Sequence, residues 1–201
     1  GLVGFNFGSV SNSSAVCNVY GSNESGTDGR IGGLVGSLNG RATVSNSYSG
    51  GTIYASKTAQ VGGISGGIHN IYGYNFTSGA WDRKVTVSNC YSYCTLDRKN
   101  ITYTGNIFAK PTVSPIAVAS TEYSLTVNNC YYLTDTMTYI TDQNGTGLTY
   151  AGLCERKLPF TDDDGKTIIG EAPGYPFPAF VRKIVKGTDG GYGDYGEFVH
   201  Y

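Results

Sequence analysis

Two short motifs return along the 201-residue chain, and their return restricts the fold more than any other feature. Gly1-Leu2-Val3-Gly4 reappears as Gly33-Leu34-Val35-Gly36 and as Gly63-Ile64-Ser65-Gly66, at offsets of 32 and 30 residues. A second motif follows each copy. It reads Val10-Ser11-Asn12-Ser13, Val44-Ser45-Asn46-Ser47, Val87-Ser88-Asn89-Cys90 and Val127-Asn128-Asn129-Cys130, at offsets of 34, 43 and 40. A unit this short cannot bury a core alone, so repetition at a near-fixed period implies units that stack. Four such units span residues 1–140. The fourth lacks a clear first motif, and Gly105-Asn106-Ile107-Phe108 reads as its worn remnant.

Within the second unit, residues 31–40, 41–50 and 51–60 each carry a short apolar segment, and the first two runs end at Gly. Gly supplies the positive φ of a sharp corner. Three short strands and three corners per turn predict an all-β chain, a right-handed parallel β-helix of about four coils, ~20 Å tall at the usual strand spacing. Equivalent residues would then lie above one another. Val10, Val44, Val87 and Val127 form an expected inward ladder, Asn12, Asn46, Asn89 and Asn129 a ladder of stacked amides. Ser13, Ser47, Cys90 and Cys130 form a small-residue row, and Tyr48, Tyr91 and Tyr131 an aromatic one. Strict alternation puts Val and Asn on one face and Ser/Cys on the other, and a corner at Asn would break that alternation and leave the facing of the Asn and Cys rows open. Cys90 and Cys130 would sit one rung apart, within Cα reach of a disulfide; an unbonded stack is the expectation.

Composition agrees with an all-β reading. Gly numbers 30 and Tyr 17, while charged residues are only 14%, which suits turns and strands better than helices. A net charge of -1 gives no electrostatic footprint for nucleic acid. No apolar run approaches the ~18 residues of a membrane-spanning helix. The five cysteines (Cys17, Cys90, Cys94, Cys130, Cys154) are odd in number and too sparse for a disulfide scaffold. Cys90-x3-Cys94 has only His69 and His200 to complete a metal site. No metal or cofactor is expected.

The paired signatures at 33–36 and 44–48, with Asn129-Cys130-Tyr131-Tyr132-Leu133 and Gly174-Tyr175-Pro176-Phe177-Pro178, resemble the GLUG-motif repeats of bacterial surface and secreted proteins. The resemblance covers about 1–180, apart from inserts at 69–84 and 106–124. It implies an extracellular or cell-surface location and a large, multidomain parent protein. Position 1 falls inside a copy of the first motif, so the chain reads as a piece of a longer protein with flanking domains. Some IgA-cleaving metallopeptidases carry such repeats, but their activity needs a His-Glu-x-x-His helix, which two distant His cannot supply. The resemblance carries no defined biochemical activity.

Residues 141–182 hold four of the 6 Pro and read as a C-terminal cap, since a stack of strands needs its last edge covered. Asp162-Asp163-Asp164-Gly165 reads as a solvated turn in preference to a calcium loop. Residues 183–201 are a Gly/Tyr-rich tail or linker, or a strand docked on the cap. The insert from His69 to Lys84 is the most site-like segment. It gathers Tyr72, Tyr74, Phe76 and Trp81 beside Asp82 and Arg83. Inserts in repeat proteins form loops on one face, often the binding face, and aromatic faces with polar neighbours suit sugar rings. The competing reading is that these aromatics simply cover a coil. Tyr72, Tyr74, Trp81 and Asp82 are the candidate ligand-binding residues, with a glycan or a host or matrix protein as partner.

A polysaccharide lyase or glycosidase on a β-helix is the alternative, and it needs paired carboxylates. The acids of 1–140 are Glu24, Asp28, Asp82, Asp97, Glu122 and Asp135, with no paired spacing, and Asp97-Arg98-Lys99 reads as a solvated turn. The sequence therefore favours a non-catalytic repeat module, adhesive or spacer, with no catalytic residues.

Overall fold

Short apolar segments broken by Gly and Asn can form only short strands, and the computed structural model consists mostly of strands of two to five residues. It describes residues 1–22, 29–56, 59–69, 84–102, 111–120 and 124–155, with strand residues 74–75, 80–81, 184–186 and 192–194. The fold is all-β with parallel sheets. Among the described residues, helix is confined to a 3-10 turn at Thr134–Thr136 and one helix at Tyr150–Glu155.

Five parallel stacks carry the architecture. The first pairs Val3–Asn6 with Val35–Leu38 and continues through the bridges Val35 to Ser65 and Ser65 to Ala117. The second stacks Ser9–Ser11, Thr43–Ser45, Lys84–Ser88 and Ser124–Asn128. The third stacks Ser14–Val16, Tyr48–Gly50, Tyr91–Ser92, Tyr131–Leu133 and Thr146–Leu148. The fourth holds Val19–Ser22, Ile53–Ser56 and Ile101–Thr102. The fifth holds Gly29–Gly32, Ala59–Gly62 and Thr112–Ser114. The chain visits the five stacks in the same order on its first three passes, beginning the second at Gly33 and the third at Gly63, while the fourth, from Pro115, reaches the first three stacks and then returns to the third at Thr146–Leu148.

Two sequence expectations change here. Each ten-residue run holds parts of two strands where one was expected. In 41–50 these are Thr43–Ser45 and Tyr48–Gly50, separated because Asn46 adopts a left-handed backbone with φ 50. The fourth copy of the first motif is Pro115-Ile116-Ala117-Val118, not 105–108, which lies outside the described residues. Ala117 bridges Ser65, and the Ile64 and Ser65 N–H groups donate to the Ile116 carbonyl at 2.8 and 2.9 Å.

Close approach explains both the motif and its loss. A Cβ on Gly33 would lie 2.3 Å from the Gly63 carbonyl oxygen and 2.6 Å from Cys94 Sγ, and one on Gly63 would lie 2.0 Å from the Pro115 oxygen. Only Gly lets successive passes meet at that distance. No described strand stacks beyond Pro115–Val118, so the steric demand lapses and Pro115 is tolerated.

The core runs along the stacks. Leu34, Ile64 and Ile116 are buried at one level of successive passes, as are Ile31, Val61 and Val113, and all belong to one continuous cluster. Each such side chain contributes roughly 1.5–3 kcal/mol of transfer free energy.

The C-terminal end closes differently. Thr141 and Asp142 N–H groups donate to the Val113 carbonyl, and Val113 N–H donates to Thr141 Oγ1 at 2.8 Å. The Asn144 amide accepts from Ser114 Oγ and the Ala117 N–H and donates to the Ala117 carbonyl. A polar segment thus satisfies the last apolar motif, and Leu153 is buried in the helix that packs on Tyr131–Leu133 and Thr146–Leu148. Within 183–201, Ile184–Lys186 and Tyr192–Asp194 form an antiparallel pair. The Asp162–Gly165 turn lies outside the described residues.

Candidate functional site

The repeated second motif builds a corner from three residues with separate tasks. Val10, Val44, Val87 and Val127 pair in register. Val44 and Val87 are fully buried, and Val10 and Val127 pack half-buried against the core. The following Asn12, Asn46, Asn89 and Asn129 all have left-handed backbones, with φ of 49, 50, 52 and 49. Asn is among the few non-Gly residues that visit this region readily. Asn89 Nδ2 donates to Asn46 Oδ1 at 3.1 Å, and Asn129 Nδ2 donates to Asn89 Oδ1 at 3.3 Å.

The third residue donates across the corner to the carbonyl two residues back. Ser13 Oγ reaches Ser11 at 2.7 Å, Ser47 Oγ reaches Ser45 at 2.6 Å, Cys90 Sγ reaches Ser88 at 3.1 Å and Cys130 Sγ reaches Asn128 at 3.2 Å. A hydroxyl and a thiol both do this, so Ser and Cys alternate at one position. The left-handed Asn reverses the alternation, and both the Val and the Ser/Cys rows lie inside. Cys90 and Cys130 are buried free thiols, as is Cys94. Burial pushes the Cys90 thiol well above its ordinary value, and the neighbouring Cys130 adds to the rise. Burial likewise raises Cys94. Tyr48 and Tyr91 stack beside this corner with centroids 4.9 Å apart. Val44, Val87, Ser47, Cys90, Cys130, Tyr48 and Tyr91 form an internal scaffold.

The aromatic insert is described only in part. Tyr74 pairs with Trp81, and Asn75 with Ala80, in a short antiparallel ladder. Tyr72 and Asp82 lie outside the described residues. Of the acids in 1–140, Asp97 and Asp135 are described. Asp97 closes a turn, its Oδ1 accepting from the Lys99 N–H at 2.7 Å and its carbonyl from the Ile101 N–H at 2.8 Å. Among the described residues no three His, Cys, Asp or Glu side chains gather to hold a metal ion, and no helix is long and apolar enough to cross a membrane.

The outward side of the fourth stack carries a surface that sequence reasoning missed. Alternation turns Val19, Ile53 and Ile101 inward and Tyr20, Tyr54, Ser22, Ser56 and Thr102 outward. Tyr20 pairs with Tyr54, and their rings stack at 4.6 Å, 3° from parallel. Ser22, Ser56 and Thr102 form a hydroxyl row two residues on. Asn100 and Lys99 complete the wall of an open groove of about 500 Å³. Tyr20 is 71% exposed, so the stacked pair presents open ring surface to the groove. The groove offers aromatic surface, hydroxyls, an amide and one ammonium, a set suited to binding and not to acid–base chemistry. The signal was available in principle, because Val19-Tyr20 and Ile53-Tyr54 repeat at the same offset of 34 as Val10 and Val44.

No protein-family model matches the chain, and no curated protein or solved structure matches it either.

Proposed function

We propose that the chain is a GLUG-type repeat module, folded as a right-handed parallel β-helix of about four coils with a C-terminal cap. It serves as a non-catalytic, ligand-binding part of an extracellular or cell-surface bacterial protein. The β-helix reading draws on the five parallel stacks, visited in one order on the first three passes, with strands beside their counterparts from the next repeat. The binding reading rests on the outward Tyr20–Tyr54 pair beside the Ser22, Ser56 and Thr102 row. Ring surface flanked by hydroxyls and an amide matches the alternating apolar and hydroxylated surface of a glycan. The insert around Tyr74 and Trp81 is a second contact region for the same ligand.

A glycan and matrix-protein array probed with the 201-residue chain tests this. Binding to one glycan class should fall at least about tenfold, roughly 1.4 kcal/mol, in Tyr20→Ala/Tyr54→Ala with the fold intact. Trp81→Ala should weaken the same binding less. Binding that survives the double substitution, or binding to no glycan at all, sinks the assignment of this groove.

A further inference from the structure

We infer that the outer edge of the first pass is a docking surface for one more coil of the same repeat, supplied by polypeptide that leads into Gly1. The inference rests on the β-helix reading above. Five features of the first pass carry it.

Part of its apolar surface is uncovered. Among the described residues the exposed large hydrophobics are Leu2, Phe5, Phe7, Val16 and Tyr20, all within the first pass. The edge is also unprotected. Residues 1–22 contain no charged residue and no Pro, the devices that normally block pairing at a sheet edge. The edge has the right polarity as well. At the third stack each strand donates toward the preceding pass: Tyr48 N–H to the Ser13 carbonyl at 3.1 Å, Tyr91 to Ser47 at 3.2 Å, Tyr131 to Cys90 at 2.9 Å and Thr146 to Cys130 at 2.9 Å. Ser14 holds that position in the first pass, and the same geometry directs its N–H away from the second. The asparagine ladder runs in the same sense, Asn89 Nδ2 donating to Asn46 and Asn129 Nδ2 to Asn89.

Connectivity selects a coil in the same chain. Gly29–Gly32 leads into Val35–Leu38 with only Gly33 and Leu34 between, so a coil ending like Gly62 would run directly into Gly1. At the far end Thr141, Asp142 and Asn144 bond to Val113, Ser114, Ala117 and Ala119 and cover the end of the first and fifth stacks. A second copy therefore cannot present all five stacks at that end in parallel register, whereas a preceding coil of the same repeat can.

The test fuses a second copy of residues 33–62 directly before Gly1. A permuted copy, 48–62 followed by 33–47, has the same composition in the wrong register. A third version inserts residues 33–62 between Gly62 and Gly63. The in-register fusion should raise Tm by roughly 5 °C or more, and the permuted one should not. No rise, or equal rises from both fusions, overturns the inference while a folded internal insertion leaves the β-helix reading standing. Loss of folding in the internal insertion overturns both. If sedimentation shows the 201-residue chain to be a dimer that Phe7→Lys splits, the face takes a second copy and the inference fails.

Discussion

Leu2 and Leu34 hold the same place in the same four-letter motif, yet Leu2 is 55% exposed and Leu34 is fully buried. Gly4 and Gly36 differ in the same way. A Cβ on Gly36 would lie 2.6 Å from the Gly4 oxygen, whereas one on Gly4 would meet nothing within 4 Å. Val10 is half-buried where Val44 is closed over. The motif letters shared by the first and second passes thus carry different energetic weight. In a stacked array a motif stabilises through its neighbours on both sides, so its contribution depends on where in the stack it stands.

Paired substitutions at equivalent positions can break or sharpen that contrast. The largest difference should come from Leu34→Ala, which should cost about 3–4 kcal/mol in urea unfolding, against less than about 1 kcal/mol for Leu2→Ala. Equal costs would mean the first pass is as well packed as the second. Asn89→Ala should cost about 2–3 kcal/mol, because it loses both the left-handed preference and two ladder bonds. Asn89→Gly should recover the backbone part of that loss, so similar values for Ala and Gly would place all the cost in the ladder. Gly36→Ala should cost about 1–3 kcal/mol from overpacking, while Gly4→Ala should stay within about 0.5 kcal/mol of the parent.

The smallest effect is a pH slope. Cys90 and Cys94 have folded-state values raised by burial, so the folded chain keeps protons that the unfolded chain releases. Their contribution is fully present below about pH 8.5 and is lost above it, at up to roughly 1.4 kcal/mol per pH unit for each thiol. Cys90→Ser should flatten the fall in stability between pH 8.5 and 9.5, with Ser donating to the Ser88 carbonyl as Ser47 does to Ser45. An unchanged slope would exclude the Cys90 thiol as its source.

Much of the architecture was legible because stacking leaves a linear trace. The Val-Ser-Asn-Ser copies sit at one structural position, so their letters record one set of constraints. The fourth first motif was illegible because its constraint lapses at the end of the stack, where Pro115 can replace Gly. The splitting of residues 41–50 into two strands was legible only as an open alternative, a corner at Asn, because Asn46 sits inside a β-favouring segment and its left-handed backbone has no signature beyond its identity. The Tyr20–Tyr54 row was overlooked since neither residue belongs to the two conspicuous motifs. Asn144 gives no hint in sequence, because its amide acts on Ser114 and Ala117 from a polar stretch outside the repeats.

The asparagine ladder also sets how the protein should age. Spontaneous hydrolysis of a side-chain amide leaves a carboxylate, which accepts hydrogen bonds but cannot donate them. Because the Nδ2 groups of Asn89 and Asn129 donate toward the earlier rung, deamidation at either residue would set oxygen against oxygen. At Asn46 the new carboxylate would still accept from Asn89. Chemical damage of one kind would therefore loosen the stack from its C-terminal rungs and spare the rung nearest the start of the ladder.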